Sequence, residues 1–206
     1  MKKVLSGLAA LMVCSSVALA APAVDVKQGE VVAGYNYSSF TFVENVGSSS
    51  TDYGKGNMNG FYAQFGIDKK LILGAEYNKG SKAVSNNTLE LKYTDVTLQY
   101  RLDKNVNLLV GNRKYDSSQI SEGVVEASEQ NNRLLYGIIG KANLGKNVDG
   151  YAGLLKTSLE TQWQAGIVYS FSRKSFLDVN YKHHKYTVDN GDITLKGLGF
   201  GVGFKF

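Results

Sequence analysis

The chain ends on a segment that alternates without interruption from Gly197 to Phe206. Leu198, Phe200, Val202, Phe204 and Phe206 share one face, and Gly197, Gly199, Gly201, Gly203 and Lys205 share the other. Successive side chains of a strand point to opposite faces, so a period of two marks an extended segment with one apolar side. In water, a terminal strand carrying such a row would recruit other strands and aggregate. In lipid it is stable only where the backbone satisfies its own hydrogen bonds, which for strands requires a sheet closed on itself. The strands of such a barrel alternate over about ten residues, apolar toward lipid and mixed toward the lumen.

The same period recurs upstream. Val31, Ala33, Tyr35 and Tyr37 form one apolar row, Phe61, Ala63, Phe65 and Ile67 another, and Leu71, Leu73, Ala75 and Tyr77 a third. Further rows run Val96–Leu102, Val106–Val110, Leu134–Ile138, Trp163–Phe171 and Leu177–Tyr181. Val148–Lys156 is ambiguous, because Ala152 and Leu154 compete with Tyr151 and Leu155; its neighbours require a partner of opposite direction, so it is assigned as a strand. The only proline is Pro22, so no later position denies an amide hydrogen to a sheet.

Connector lengths alternate as well. Short ones fall at Asp68–Lys70, Asp103–Asn105, Gly145–Asn147 and Ser172–Lys174. Longer polar stretches, expected as loops, run Val43–Asn57, Gly80–Thr88, Asp116–Asn131 and Thr187–Ile193, with a tighter one near Thr157–Thr161. Short periplasmic turns and long surface loops are the asymmetry of bacterial barrels. The expectation is therefore an all-β, transmembrane, antiparallel up-and-down β-barrel of ten strands with both termini in the periplasm. Eight strands is the alternative, should the two segments flanking Thr157–Thr161 not both span.

Residues 1–20 read as an export leader rather than part of the barrel. Lys2 and Lys3 precede a mostly apolar run from Val4 to Val17, and Ala18-Leu19-Ala20 places small residues before a cut at Ala21. The barrel domain is then 21–206. Cys14, the only cysteine, lies in the leader behind Val13, where a lipid-bearing cysteine would need a small residue. The mature chain thus contains neither disulfides nor thiolate metal sites.

The strand–turn–strand Leu98-Gln99-Tyr100-Arg101-Leu102-Asp103-Lys104-Asn105-Val106-Asn107-Leu108, with Tyr-Arg before a tight turn, resembles the small outer-membrane β-barrel superfamily of outer membrane protein A-like and opacity-type barrels. Tyr169-Ser170-Phe171 before Ser172-Arg173-Lys174, and the closing Gly197–Phe206 strand, are similar to further instances. The resemblance implies location in the bacterial outer membrane. It also implies that Leu198, Phe200, Val202, Phe204 and Phe206 are an assembly signal for the barrel assembly machinery. Outer-membrane lipids and lipopolysaccharide are the other expected partners. Members of such families include anchors, adhesins and narrow pores, so the motifs specify architecture.

The residues that bear on function are the charges expected to face the lumen: Glu76, Asp95, Arg101, Arg113, Arg133, Lys141, Asp178 and Lys182. They can line a small conducting pore or fill a narrow barrel as an internal salt-bridge network, and the small diameter favours the network. The lumen-facing glycines of the last strand either leave room for water or let a bulky residue such as Tyr62 lie against the wall. His183 and His184 are adjacent and face opposite sides, so they cannot share a metal ion. His184 with Asp189 or Asp192 would make the acid–base pair of a surface protease or lipid-modifying barrel. No second acidic pair accompanies it, so the chain is read as non-enzymatic. Asp116, Glu122, Glu126 and Glu129 make the Asp116–Asn131 stretch acidic, either as solvated sequence or as a contact for divalent cations or a basic partner. Loss of Lys2 and Lys3 lowers the 23 basic residues to 21 against 18 acidic ones, a net +3 scattered over turns and lumen. That distribution gives no basic stripe for nucleic acid, and no phosphate loop, dinucleotide fingerprint or metal-ligand spacing implies a cofactor.

Overall fold

The computed structural model describes residues 24–84, 87–121, 124–188 and 191–206. Ten strands follow in order: β1 (Val31–Val46), β2 (Ser49–Gly66), β3 (Leu71–Val84), β4 (Asn87–Arg101), β5 (Val106–Ser121), β6 (Val124–Gly145), β7 (Val148–Lys156), β8 (Glu160–Ser170), β9 (Ser175–Val188) and β10 (Gly191–Lys205). Each is antiparallel to its sequence neighbours, and β10 pairs with β1 from Lys205 opposite Val32 to Asp192 opposite Asn45. Closure removes both sheet edges. The flanks of Thr157–Thr161 both belong to the wall, since β7 pairs fully with β6 and β8.

Direct partners followed around the wall leave β1 at Val31 and return to it at Val43. That stagger of twelve residues is what tilts the strands and sets the width of the interior. The alternating rows face as the period predicts: Phe61, Val96, Leu134, Ile167, Leu198 and Phe200 are each at least half exposed on the outside. An apolar band of this extent is stable against hydrocarbon and would drive association in water.

The two ends of the barrel differ. At the turn end, Asp68 Oδ1 accepts from the backbone N–H of Lys70 (2.6 Å) and Leu71 (2.7 Å). Asp103 Oδ1 accepts in the same way from Asn105 (2.6 Å) and Val106 (2.9 Å). These are side chains standing in for a backbone turn, and the two amides hold the exposed Asp68 carboxyl below the usual carboxylate range.

At the hairpin end the long polar stretches are not loops. β1 and β2 run on until only Gly47 and Ser48 separate them, and Gly47 adopts the left-handed conformation the turn requires. β3 and β4 continue to Val84 and Asn87, and β5 and β6 to Ser121 and Val124. Apolar alternation stops where the lipid stops, but cross-strand hydrogen bonding does not. A strand solvated on both faces therefore leaves no period for a sequence reading to detect.

Candidate functional site in the barrel interior

At the centre of the interior stands Arg113 on β5, whose side chain is fully buried. Its Nε and Nη2 donate to both oxygens of Asp95 on β4 (2.9 and 2.8 Å), its direct register partner. Its Nη1 donates to Glu160 Oε2 at the start of β8 (2.8 Å), across the lumen. Glu160 also accepts from Tyr115 OH (3.1 Å) and Tyr186 OH (2.8 Å), and its Oε1 lies 2.9 Å from His184 Nδ1. The guanidinium carbon sits 5.5 Å above the Tyr93 ring and 5.8 Å from that of Tyr115. Phe40, Met58, Ile193 and Leu195 pack with these tyrosines on the hairpin side. Two carboxylates on one guanidinium, with Tyr115 and Tyr186 also donating to Glu160, supply the pairing that a buried charge requires.

Below this tie lies a polar layer. Glu76 accepts from Asn78 Nδ2 and from Tyr93 OH (3.2 Å). Asp178 accepts from Tyr151 OH (2.9 Å). Gln64, Glu76, Asp95 and Gln99 border a cavity of about 30 Å³, room for one or two waters. Of the last strand's lumen-facing glycines, Gly203 accommodates the bulky residue, whereas Gly199 and Gly201 border Asn180 and Asp178. A Cβ at Gly34 would lie 2.3 Å from Tyr62 OH, and one at Gly203 would lie 2.2 Å from Phe176 and 2.5 Å from Tyr62. Two glycine-bearing strands thus let aromatic rings rest on their backbone.

The turn end is filled by the segment ahead of β1. Val24 and Val26 are buried against Val32, Tyr62, Ile72, Tyr151, Val168 and Phe176. Asp25 lies between two cations: its Oδ1 is 3.2 Å from Arg101 Nη2 and 3.1 Å from Lys141 Nζ. Lys205 Nζ donates to the Asp25 carbonyl (2.8 Å), Arg101 Nη2 to that of Val26 (2.9 Å), and Gly29 N to that of Gly66 (2.8 Å). Burial pushes the Asp25 carboxyl upward, but Lys141, Arg101 and Lys205 overcome this and hold it below the usual range.

The eight charges named from sequence therefore do not form one network. Asp95 and Arg113 meet in the central tie, with Glu76 beside them through Tyr93. Asp178 and Lys182 are buried nearby, and Lys182 enters no ion pair among the described residues. Arg101 and Lys141 serve the turn end. Arg133 stands opposite Arg113 in register, half-buried, and none of its described contacts is an ion pair. The histidine pairing differs from expectation. His184 faces Glu160; Asp192 is taken by Lys185 (2.8 Å), and Asp189 lies outside the described residues. His183 lies on the outer wall, stacked on Trp163 at 5.4 Å. Of the acidic stretch, Glu122 lies outside the described residues, as do the side chains of Glu126 and Glu129.

Sequence reasoning misses Glu160 and Asp25. Glu160 falls in the stretch expected as a connector, although Glu160, Gln162 and Gln164 continue the polar face opposite Trp163. Asp25 precedes the first periodic residue, so no pattern marks it.

Comparison with solved structures gives fold-level likeness at low identity. The COG4313 outer membrane channel from Pseudomonas putida F1 is 12% identical, covering 93% of this chain and 100% of that one, with a TM-score of 0.54. The translocator domain of the autotransporter NalP from Neisseria meningitidis is 10% identical, covering 100% and 96%, at 0.53. The outer membrane protease OmpT from Escherichia coli is 8% identical, covering 89% and 98%, at 0.52. A sequence comparison with curated proteins finds no match. A closed antiparallel barrel with an apolar outer band is what an integral outer-membrane protein needs, and the family model agrees across residues 6–206: the chain belongs to the outer membrane protein beta-barrel domain family.

Proposed function

We propose that this protein is a structural or surface-interaction barrel whose lumen is closed to ions and solutes. The observation that supports this is the Arg113 tie, which joins β4, β5 and β8 across the interior with an aromatic and aliphatic collar around it. On this reading the short turns face the periplasm, the long hairpins face the cell exterior, and residues 1–20 are removed at Ala21. The outward row Leu198, Phe200, Val202, Phe204 and Phe206 serves as the recognition signal for the barrel assembly machinery, and lipopolysaccharide surrounds the hairpin end.

Protein refolded into planar bilayers is expected to show negligible conductance while retaining heat-modifiable gel mobility. Discrete conductance steps that change on neutralising Arg113 or Arg133 would instead establish a narrow pore. Protease added to whole cells is expected to cut within Asp116–Asn131; cleavage at Asp103–Asn105 would invert the orientation.

A further inference from the structure

The lumen faces of β2, β3 and β4 border the small cavity beside the Arg113 tie. Every polar side chain in its lining offers an oxygen, namely Gln64, Glu76, Asp95, Thr97 and Gln99, and no basic side chain joins them. Register sets the nearest of them in two rows. Glu76 stands directly opposite Asp95, and Gln64, Gly74 and Thr97 stand in line beside that pair. Gly74 makes the room, since a Cβ there would lie 2.6 Å from Thr97 Oγ1. Leu109, Leu135 and Leu155 close the space with hydrocarbon.

Two features of this lining call for a cation. The first is charge. Glu76 and Asp95 are both buried, and like charges directly opposite each other on a sheet repel. With histidine counted as neutral, the buried charges among the described residues are the carboxylates of Glu76, Asp95, Glu160 and Asp178 against the cations Arg113 and Lys182. Half-buried Arg133 reduces the excess to one negative charge. Lys182 forms no ion pair with either carboxylate of the cavity. The second feature is Gln64, which lines the space while only 5% exposed and whose Oε1 has no hydrogen-bond partner. An acceptor left unmatched at this depth carries its full desolvation cost. Asp95 gives each oxygen to one N–H of Arg113 and keeps about half of its acceptor positions. Hard cations take such sets of carboxylate, amide and hydroxyl oxygens, and an excess of one charge selects a monovalent ion. We infer that the cavity holds a sodium ion, bound by the Glu76 and Asp95 carboxylates and the Gln64 amide oxygen, with Thr97 and Gln99 completing its shell.

The test is the urea unfolding midpoint of the full barrel folded in phosphatidylcholine vesicles. It is measured at constant ionic strength in sodium chloride and in N-methylglucamine chloride, whose cation is too large for the cavity. Sodium is expected to raise the midpoint and then saturate, with the unfolding constant falling roughly tenfold when sodium reaches about ten times its dissociation constant. Glu76→Gln should lose this response. Gln64→Leu should lose most of it while keeping both carboxylates, and it carries the test alone if Glu76→Gln fails to show heat-modifiable mobility. Gln164→Ala, outside the cavity, should keep the full response, which separates a bound ion from a general effect of the salt. Equal wild-type midpoints in the two salts would overturn the inference and leave water, or a proton shared by the carboxylates, in place of the ion. A sodium response that survives Gln64→Leu undiminished, or a response to calcium in place of sodium, would overturn it as well.

Discussion

Arg113 on β5 is held by carboxylates from two other strands, and its environment explains how a barrel this narrow tolerates a buried guanidinium. Asp95 takes two of its donors in parallel, and Glu160 takes a third. Such bidentate pairing is what arginine provides and lysine does not. Breaking a buried pair leaves the remaining charges uncompensated, which typically costs about 3–5 kcal/mol. Arg113→Ala is therefore expected to lose that amount in a urea titration of the lipid-folded protein. Gln164→Ala should lose much less, since neither of that residue's side-chain polar atoms has a partner. Equal losses would show that the tie adds nothing beyond packing. Half of this site is legible in the sequence. Asp95 and Arg113 stand in alternating segments whose parity alone assigns them to the lumen. Glu160 is not legible, because it sits next to Thr157, whose hydroxyl caps the connector by accepting from the Leu159 and Glu160 amides. A short turn closed by a hydroxyl and a strand start look alike over three residues.

The segment leading into β1 is an element without regular structure, and its order comes from side chains of distant strands. Arg101 belongs to β4, Lys141 to β6 and Lys205 to β10, and all three converge on Asp25. Sequence gives no sign of this convergence, because long-range charge pairing leaves no local period. Asp25→Asn is expected to loosen the segment and speed tryptic cleavage after Lys27 in refolded protein with that end accessible. The pH dependence has a definite sign. The folded carboxyl lies below its ordinary value of 3.8, so the latch is fully present above that value and is lost as pH falls through the lowered folded one. Amide hydrogen exchange in the segment should therefore stay slower in the wild type than in Asp25→Asn from neutral pH down to about pH 4, and the difference should vanish below that. Identical rates for the two proteins at neutral pH would show that Val24 and Val26 alone hold the segment.

At the scale of the whole barrel, the interior is crossed twice: by the Arg113 collar toward the hairpin end and by the Val24–Val26 segment at the turn end. Register ties both to the wall, since a stagger of twelve residues over ten strands fixes which side chains meet at each level. Two obstructions along one axis act as resistances in series, and the larger dominates whichever one is opened. Deleting residues 24–29 should leave the collar in place and the protein electrically silent. Tyr186→Ala combined with Phe40→Ala should open the collar but leave the turn end filled, again without current. Only the combined variant is expected to give discrete steps in a planar bilayer, with heat-modifiable mobility confirming that each protein has folded. Steps in either partial variant would mean that one obstruction is porous by itself. Silence in the combined variant would point to the layer between them, where Gln64, Glu76, Asp95 and Gln99 border a cavity of about 30 Å³, room for one or two waters.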